Sequence, residues 1–239
     1  LTNARVEYRR SGQYYYSTLG VYLSHAVHTR DQHRVVLDST VIRQSYTALY
    51  LGAPGSRVSR SRVDTTTYNS YAAVQLNAVA KLEAFRVRGS ASYPLTASLE
   101  YLTGLAPADQ DSLLGNARDT LVVTGGTLKA ATVTARAALP WRVEGAVYVD
   151  SAAVLVAEPG ARFATTSSVP FIFHNRGRLS ARGSAAAPVV FTAVNPAQPW
   201  GGLRFQGTPS DTSYLTNARV EHSQGTGSYA YAAVVTLDQ

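Results

Sequence analysis

The sequence predicts an all-β chain of the parallel β-solenoid class, and three observations carry that prediction. Short segments rich in Val, Leu, Thr and Tyr are broken by Gly, Pro, Asn and Ser throughout, with no sustained 3.6-residue periodicity. Within the first hundred residues a sub-repeat recurs as NARVEYRRSG (3–12), DSTVIRQSYT (38–47), SRSRVDTTTY (59–68) and EAFRVRGSAS (83–92). Its valines are Val6, Val41, Val63 and Val87, and the steps from 41 to 63 and from 63 to 87 are 22 and 24 residues. Each copy is followed by a second apolar segment: LGVYL (19–23), ALYLG (48–52), AAVQL (72–76) and PLTASL (94–99). One such unit cannot bury its inward side chains alone. Rungs stacked about 4.8 Å apart pair every backbone edge and build a continuous core.

A longer repeat lies over the short one. LTNARVE runs from Leu1 to Glu7 and again from Leu215 to Glu221, and the offset of 214 also aligns Tyr15 with Tyr229, Val21 with Val235 and Leu23 with Leu237. This reads as one period of a repeat array and the start of the next. At roughly 22 residues per rung, a period would hold roughly ten rungs and rise about 45–50 Å. The expected organisation is rungs with a 22–24 residue sub-repeat over 1–104, an inserted loop or short helix over 105–119, further rungs over 120–214, and the next period from 215 to 239. Asp109 or Asp111 is the expected N-cap of the inserted segment. Val6, Val41, Val63, Val87 and Val220 are the expected core positions of their rungs.

Composition narrows the function classes. At 239 residues and 45% hydrophobic content the chain has material for a sizeable core. It has no cysteine, which excludes disulfides, thiolate metal sites and a thiol nucleophile. No apolar run reaches 18 residues and Leu1 does not open a signal peptide, so this segment carries no expected membrane span. The absence of Met even at position 1 places the expected true start upstream. The formal charge of +7 is almost wholly arginine, Lys81 and Lys129 being the only lysines. That balance favours acidic partners, against the simpler reading of a solvated arginine-rich surface. No phosphate-cradling loop or nucleic-acid module is present, and Gly125 and Gly126 read as a turn.

Three residue groups have chemical potential. Tyr46, Tyr68 and Tyr93 follow their valines by five or six positions and could stack at one corner. The same alignment sets Arg5, Arg62 and Arg86 in one column and Glu7, Asp64 and Arg88 in the next, all outward if Val63 faces inward. Such a face offers rings for sugars and guanidinium groups for anions; the alternative is a salt-bridged, solvated face. Asp109, Asp111, Asn116 and Asp119 are oxygen donors suited to Ca²⁺, but their spacing is not that of an EF-hand loop, and helix-capping carboxylates in a solvated loop are the favoured reading. His25, His28 and His33 form an H-x2-H-x4-H group that lacks a clear fourth ligand. The expectation is therefore no bound cofactor, with Ca²⁺ the cation the loop would suit.

The succession LPWRVEGAVYV, VLVAEPGARFA, GRLSARGSAAAPVVFTA, PWGGLRFQG and SYLTNARVEHS resembles right-handed parallel β-helix proteins of the pectin-lyase-like superfamily, in particular large non-enzymatic bacterial surface and secreted members. The resemblance extends from about Gly115 to Glu221; residues 1–104 share only the rung period. It implies a right-handed coil with the EPGARF stretch at a turn between rungs. Enzymes on this fold use clustered aspartates, with Ca²⁺ or as an acid and base pair, and an Arg, Lys or His on neighbouring rungs. Adjacent Asp-Asp, Gly-His-Gly and Arg-x-Lys sequences are all missing here, so no catalytic residue is assigned.

The expected function is a structural or adhesive repeat of a long extracellular or cell-surface bacterial protein, forming a stiff rod or fibre. The expected partners are neighbouring copies or adjacent repeats stacked end to end, and acidic glycans, with no specific nucleic acid. A glycan-binding module using the Tyr and Arg faces is the first alternative. A polysaccharide lyase or hydrolase is the second.

Overall fold

Val, Ile and Leu at alternating positions give the core strands an apolar face, and the chain pairs the strand edges in parallel so that these faces stack. The computed structural model describes residues 5–7, 25–29, 33–45, 47–66, 71–207, 212–224 and 234–238. They fall in two units, residues 1–96 with 104–119 and residues 97–103 with 120–239.

In the first unit the strands are β1 (Arg5–Glu7), β2 (His25–Thr29), β3 (Val36–Asp38), β4 (Val41–Ser45), β5 (Thr47–Leu51), β6 (Arg57–Ser59), β7 (Arg62–Thr66), β8 (Ala72–Leu76), β9 (Lys81–Glu83), β10 (Arg86–Ser90) and β11 (Tyr93–Ala97). Every third strand pairs in parallel, giving β1-β4-β7-β10, β2-β5-β8-β11 and β3-β6-β9. Buried columns run through the stack: Leu37, Val58 and Leu82 in one sheet, Ile42, Val63 and Val87 in another.

The register corrects one expected core position. Val41 pairs with Arg62, and it is Ile42 that pairs with Val63 and with Val6. Ile42 is buried and Val41 only half-buried. Because side chains alternate with period two, a slip of one residue exchanges the two faces of a strand. The Val-Ile doublet is apolar at both positions, so hydrophobicity alone did not choose. The position three residues on follows the same register: Ser45, Thr66 and Ser90 are partners and all buried. Thr66 Oγ1 donates to Ser90 Oγ at 3.0 Å, and Ser90 Oγ to the Tyr93 carbonyl at 3.3 Å.

Corners are made by residues in the left-handed region. Ser39, Arg60 and Ala84, with φ of 50°, 49° and 48°, occupy the same place after β3, β6 and β9. Left-handed backbone is disfavoured for side-chain-bearing residues. The ladder holds it here: Ser39 N–H donates to the Ser59 carbonyl at 3.1 Å and Arg60 N–H to that of Glu83 at 3.0 Å. A 3-10 helix over Pro107–Leu113 sits within the 105–119 segment. Its N-cap is Ala106, without a side-chain hydrogen bond, in place of the expected Asp109 or Asp111. Pro107 opens the helix and has no amide to satisfy.

The second unit comprises β12 (Leu121–Val123), β13 (Gly126–Lys129), β14 (Thr132–Ala135), β15 (Trp141–Val143), β16 (Val147–Asp150), β17 (Val154–Ala157), β18 (Arg162–Thr165), β19 (Phe171–Phe173), β20 (Arg178–Arg182), β21 (Val189–Ala193), β22 (Leu203–Gly207), β23 (Tyr214–Thr216), β24 (Ala218–Val220) and β25 (Val234–Asp238). Its sheets are β12-β15-β18-β21-β24, β13-β16-β19-β22-β25 and β14-β17-β20-β23. Here the core is aromatic. Leu121, Trp141, Phe163, Phe191 and Val220 are successive register partners. Phe163 stacks on Phe191 at 4.7 Å and meets Trp141 edge-on at 5.3 Å. Val220 extends this column and is half-buried.

The two copies of the heptad use the same alternation. Val6 pairs with buried Ile42, and Val220 with buried Phe191. Arg5 pairs with Val41, and Arg219 with Val190.

The chain is thus a parallel β-solenoid of about seven turns. That corrects the expected ten. The expectation used the shortest rungs, whereas Val6 to Ile42 spans 36 residues, Phe163 to Phe191 28 and Phe191 to Val220 29. Added residues enter the corners, as in the hydrogen-bonded Ser184–Ala187 turn.

Close approach of rungs constrains Gly177, where an added Cβ would lie 1.8 Å from the Val149 carbonyl oxygen. Backbone must move to admit it. Gly177→Ala is expected to cost about 2–3 kcal/mol, read as a lower urea midpoint.

Candidate functional site

Outward residues of β4, β7 and β10 form the most strongly charged face of the first unit. Strand alternation that buries Ile42, Val63 and Val87 turns Arg43, Arg62, Asp64, Arg86 and Arg88 outward. Arg62 and Arg86 are register partners, as are Asp64 and Arg88. Asp64 Oδ2 accepts from Arg62 Nε at 3.0 Å and from Arg43 Nε at 3.3 Å. Among the described residues, Arg86 and Arg88 have no acidic partner within salt-bridge distance. By register Arg5 stands beyond Val41, and Glu7 beyond Arg43. Arg43 entered this column through the one-residue shift of β4, so the expected sequence of Glu7, Asp64 and Arg88 gains a cation between the first two.

The neighbouring β3-β6-β9 face is better balanced. Arg57 Nη2 and Lys81 Nζ reach Glu83 at 2.7 and 2.5 Å, and Arg60 pairs with Asp38. The Arg60 guanidinium, helped by the Ser59 hydroxyl, holds the Asp38 carboxyl below its usual range. Lys81 chiefly does the same for Glu83. Folded-state values below the unfolded ones mean that these groups contribute stability above the ordinary carboxylate pKa of about 4, and lose it as pH falls through the depressed values. The melting temperature should therefore hold from neutrality to about pH 4 and fall below it. Carboxyl titration by NMR should place Asp38 and Glu83 below the ordinary aspartate and glutamate values.

Of the three tyrosines expected at one corner, Tyr93 alone is described. Tyr46 and Tyr68 lie outside the described residues. Tyr93 is 6% exposed, and its ring neighbour is Tyr71 at 5.6 Å. Arg118 Nη1 donates to its hydroxyl at 3.1 Å and the guanidinium lies 5.1 Å over its ring. Buried and covered, Tyr93 is packing and not a platform for sugars.

The oxygen donors of the 105–119 segment serve backbone amides, its own and those of the preceding rung. Asp109 Oδ1 accepts the Ala84 N–H at 3.1 Å. Asp119 accepts the amides of Gly115 and Asn116 at 3.1 and 2.8 Å. Asn116 Oδ1 accepts the Ser90 N–H at 3.0 Å, while its Nδ2 donates to the Leu113 carbonyl at 2.8 Å. Asp111 also has a polar partner. These bonds tie the segment to β10 and the corner before it, and leave Asp109 and Asp119 facing amides. Among the described residues no three His, Asp or Glu side chains gather for a metal ion. In the second strand His28 packs on Tyr50 at 4.4 Å, and His33 is exposed.

One constellation escaped the sequence reading. At the end of the β13-β16-β19 sheet Lys129 pairs with Asp150, and His174 follows Phe173, the partner of Val149. His174 Nδ1 thereby comes within 4.0 Å of Asp150 Oδ1 and 3.0 Å of Asn175 Nδ2, with the exposed Tyr148 ring edge-on to the imidazole at 6.1 Å. Burial is the largest single influence on Asp150 and pushes its pKa up. Hydrogen bonds from Asn175 and Ser151, with the nearby His174, outweigh it, and the net direction is down. An ionised carboxylate beside an imidazole can orient a proton carrier. A second carboxylate, which glycosidic hydrolysis by an acid and base pair requires, is not in this corner among the described residues. The signal lay in register: residues 129, 150 and 174 are about one rung apart.

Residues 126–230 match the model of a family described as the pectate-lyase like beta helix domain. No curated protein and no solved structure matches the chain. Fold and match together make it a parallel β-helix repeat region. Among the described residues no helix is long and apolar enough to cross a membrane.

Proposed function

We propose that this chain is a structural and adhesive segment of a long extracellular bacterial protein, a stiff length of β-solenoid that spaces or presents other surfaces. The supporting observation is the pair of unbroken inward columns, aliphatic through Ile42, Val63 and Val87 and aromatic through Trp141, Phe163 and Phe191. Such columns resist bending because each rung is packed on both sides. Among the described residues, Asp38, Asp64 and Glu83 are engaged by arginine or lysine, and Asp109 and Asp119 by backbone amides. Neighbouring copies, or adjacent repeats of the same chain, are the partners this reading assigns, stacked end to end.

Force spectroscopy on a tandem of the chain tests the reading. Unfolding in steps of one or a few rungs, at forces well above those that stretch a disordered linker, is expected. Smooth extension without steps would remove the mechanical role. Release of unsaturated sugars from polygalacturonate, abolished by His174→Ala, would instead establish a polysaccharide lyase.

A further inference from the structure

We propose that the outward face of β4, β7 and β10 is a docking surface for a sulfated polysaccharide. The inference rests on the adhesive part of the function above and names its ligand. Four arginines, Arg43, Arg62, Arg86 and Arg88, share this face with one carboxylate, Asp64. Arg62 and Arg86 stand directly opposite each other one rung apart, about 4.8 Å between strands, where like charges repel. Asp64 already serves Arg43 and Arg62. The charge left over is therefore concentrated at Arg86 and Arg88, both exposed.

An anion lying over these residues relieves the repulsion, and its shape selects its chemistry. A carboxylate has two oxygens, which one guanidinium fork satisfies. A sulfate ester has three terminal oxygens and can accept from guanidinium groups on adjacent rungs at once. Two-residue spacing along β10 places Arg88 about 6–7 Å from Arg86, so a second ester on the same polymer finds a second cation. Nucleic acid fits less well. Single strands are held by aromatic platforms between the basic residues, and the described aromatics that flank β10 in the sequence, Phe85 and Tyr93, are both buried.

Retention on immobilised dextran sulfate across a salt series tests the proposal, with neutral dextran and polygalacturonate as comparison polymers. The wild-type protein should bind dextran sulfate, pass through dextran, and bind polygalacturonate at least about tenfold more weakly. Arg86→Gln with Arg88→Gln should weaken binding by about tenfold or more and lower the slope of log affinity against log salt by about two. Arg162→Gln with Arg219→Gln removes the same charge from exposed positions of the second unit. That pair should leave binding unchanged, and circular dichroism should show both variants folded. Equal losses for the two pairs, no loss for the first, or equal binding to polygalacturonate would overturn the assignment. Stepwise unfolding without dextran sulfate binding would reject this site and leave the rod; binding without stepwise unfolding would do the reverse.

Discussion

Val63→Asp is expected to unfold the first unit's rungs locally, at a cost above about 4 kcal/mol. Val63 is fully buried and lies between Ile42 and Val87, both also buried, with no donor within the column to meet a carboxylate. The new group must either remain charged in an apolar stack or take up a proton, and each choice costs free energy. Ile42→Asp should be nearly as damaging. Val41→Asp, one residue away, should cost less than about 1 kcal/mol, because Val41 is half-buried on the other face and registers with Arg62. Limited proteolysis and urea midpoints of the three variants measure this directly. Equal losses at 41 and 42 would refute the register described here.

Phe163→Ala is expected to destabilise the second unit by about 3–5 kcal/mol. Its ring is fully buried, stacks on Phe191 at 4.7 Å, and meets Trp141 and Phe171 edge-on at 5.3 and 5.8 Å. Truncation loses the transfer free energy of the ring and leaves a cavity that parallel rungs cannot close without breaking ladder hydrogen bonds. The aromatic pairs add about 0.5–1.5 kcal/mol each beyond area burial. Phe163→Leu should recover much of the loss. For a chain of this size the alanine variant should lower the melting temperature by on the order of 10 °C. A shift of only one or two degrees would mean that the aromatic column is loosely packed.

Much of the architecture was legible in the sequence for a physical reason. Parallel rungs impose the same alternation on each strand, so Val63 and Val87 announced a shared column, and both are buried. Register within β4 was harder, because Val41 and Ile42 are equally apolar; the Ile42-x-x-Ser45, Val63-x-x-Thr66 and Val87-x-x-Ser90 spacing was the available signal. Rung number was misjudged because corner length varies while strand pairing does not. The site was less legible still. Arg43 moved faces with the slip in β4. Tyr148, Asp150 and His174 meet only once the corners between them are threaded, and no local motif connects them.

Fibre diffraction from aligned, natively expressed protein tests the central claim most directly. Stacked rungs along a rod predict a meridional spacing of about 4.8 Å parallel to the long axis of slender particles. The same spacing perpendicular to that axis, or compact particles that do not align, would contradict the rod.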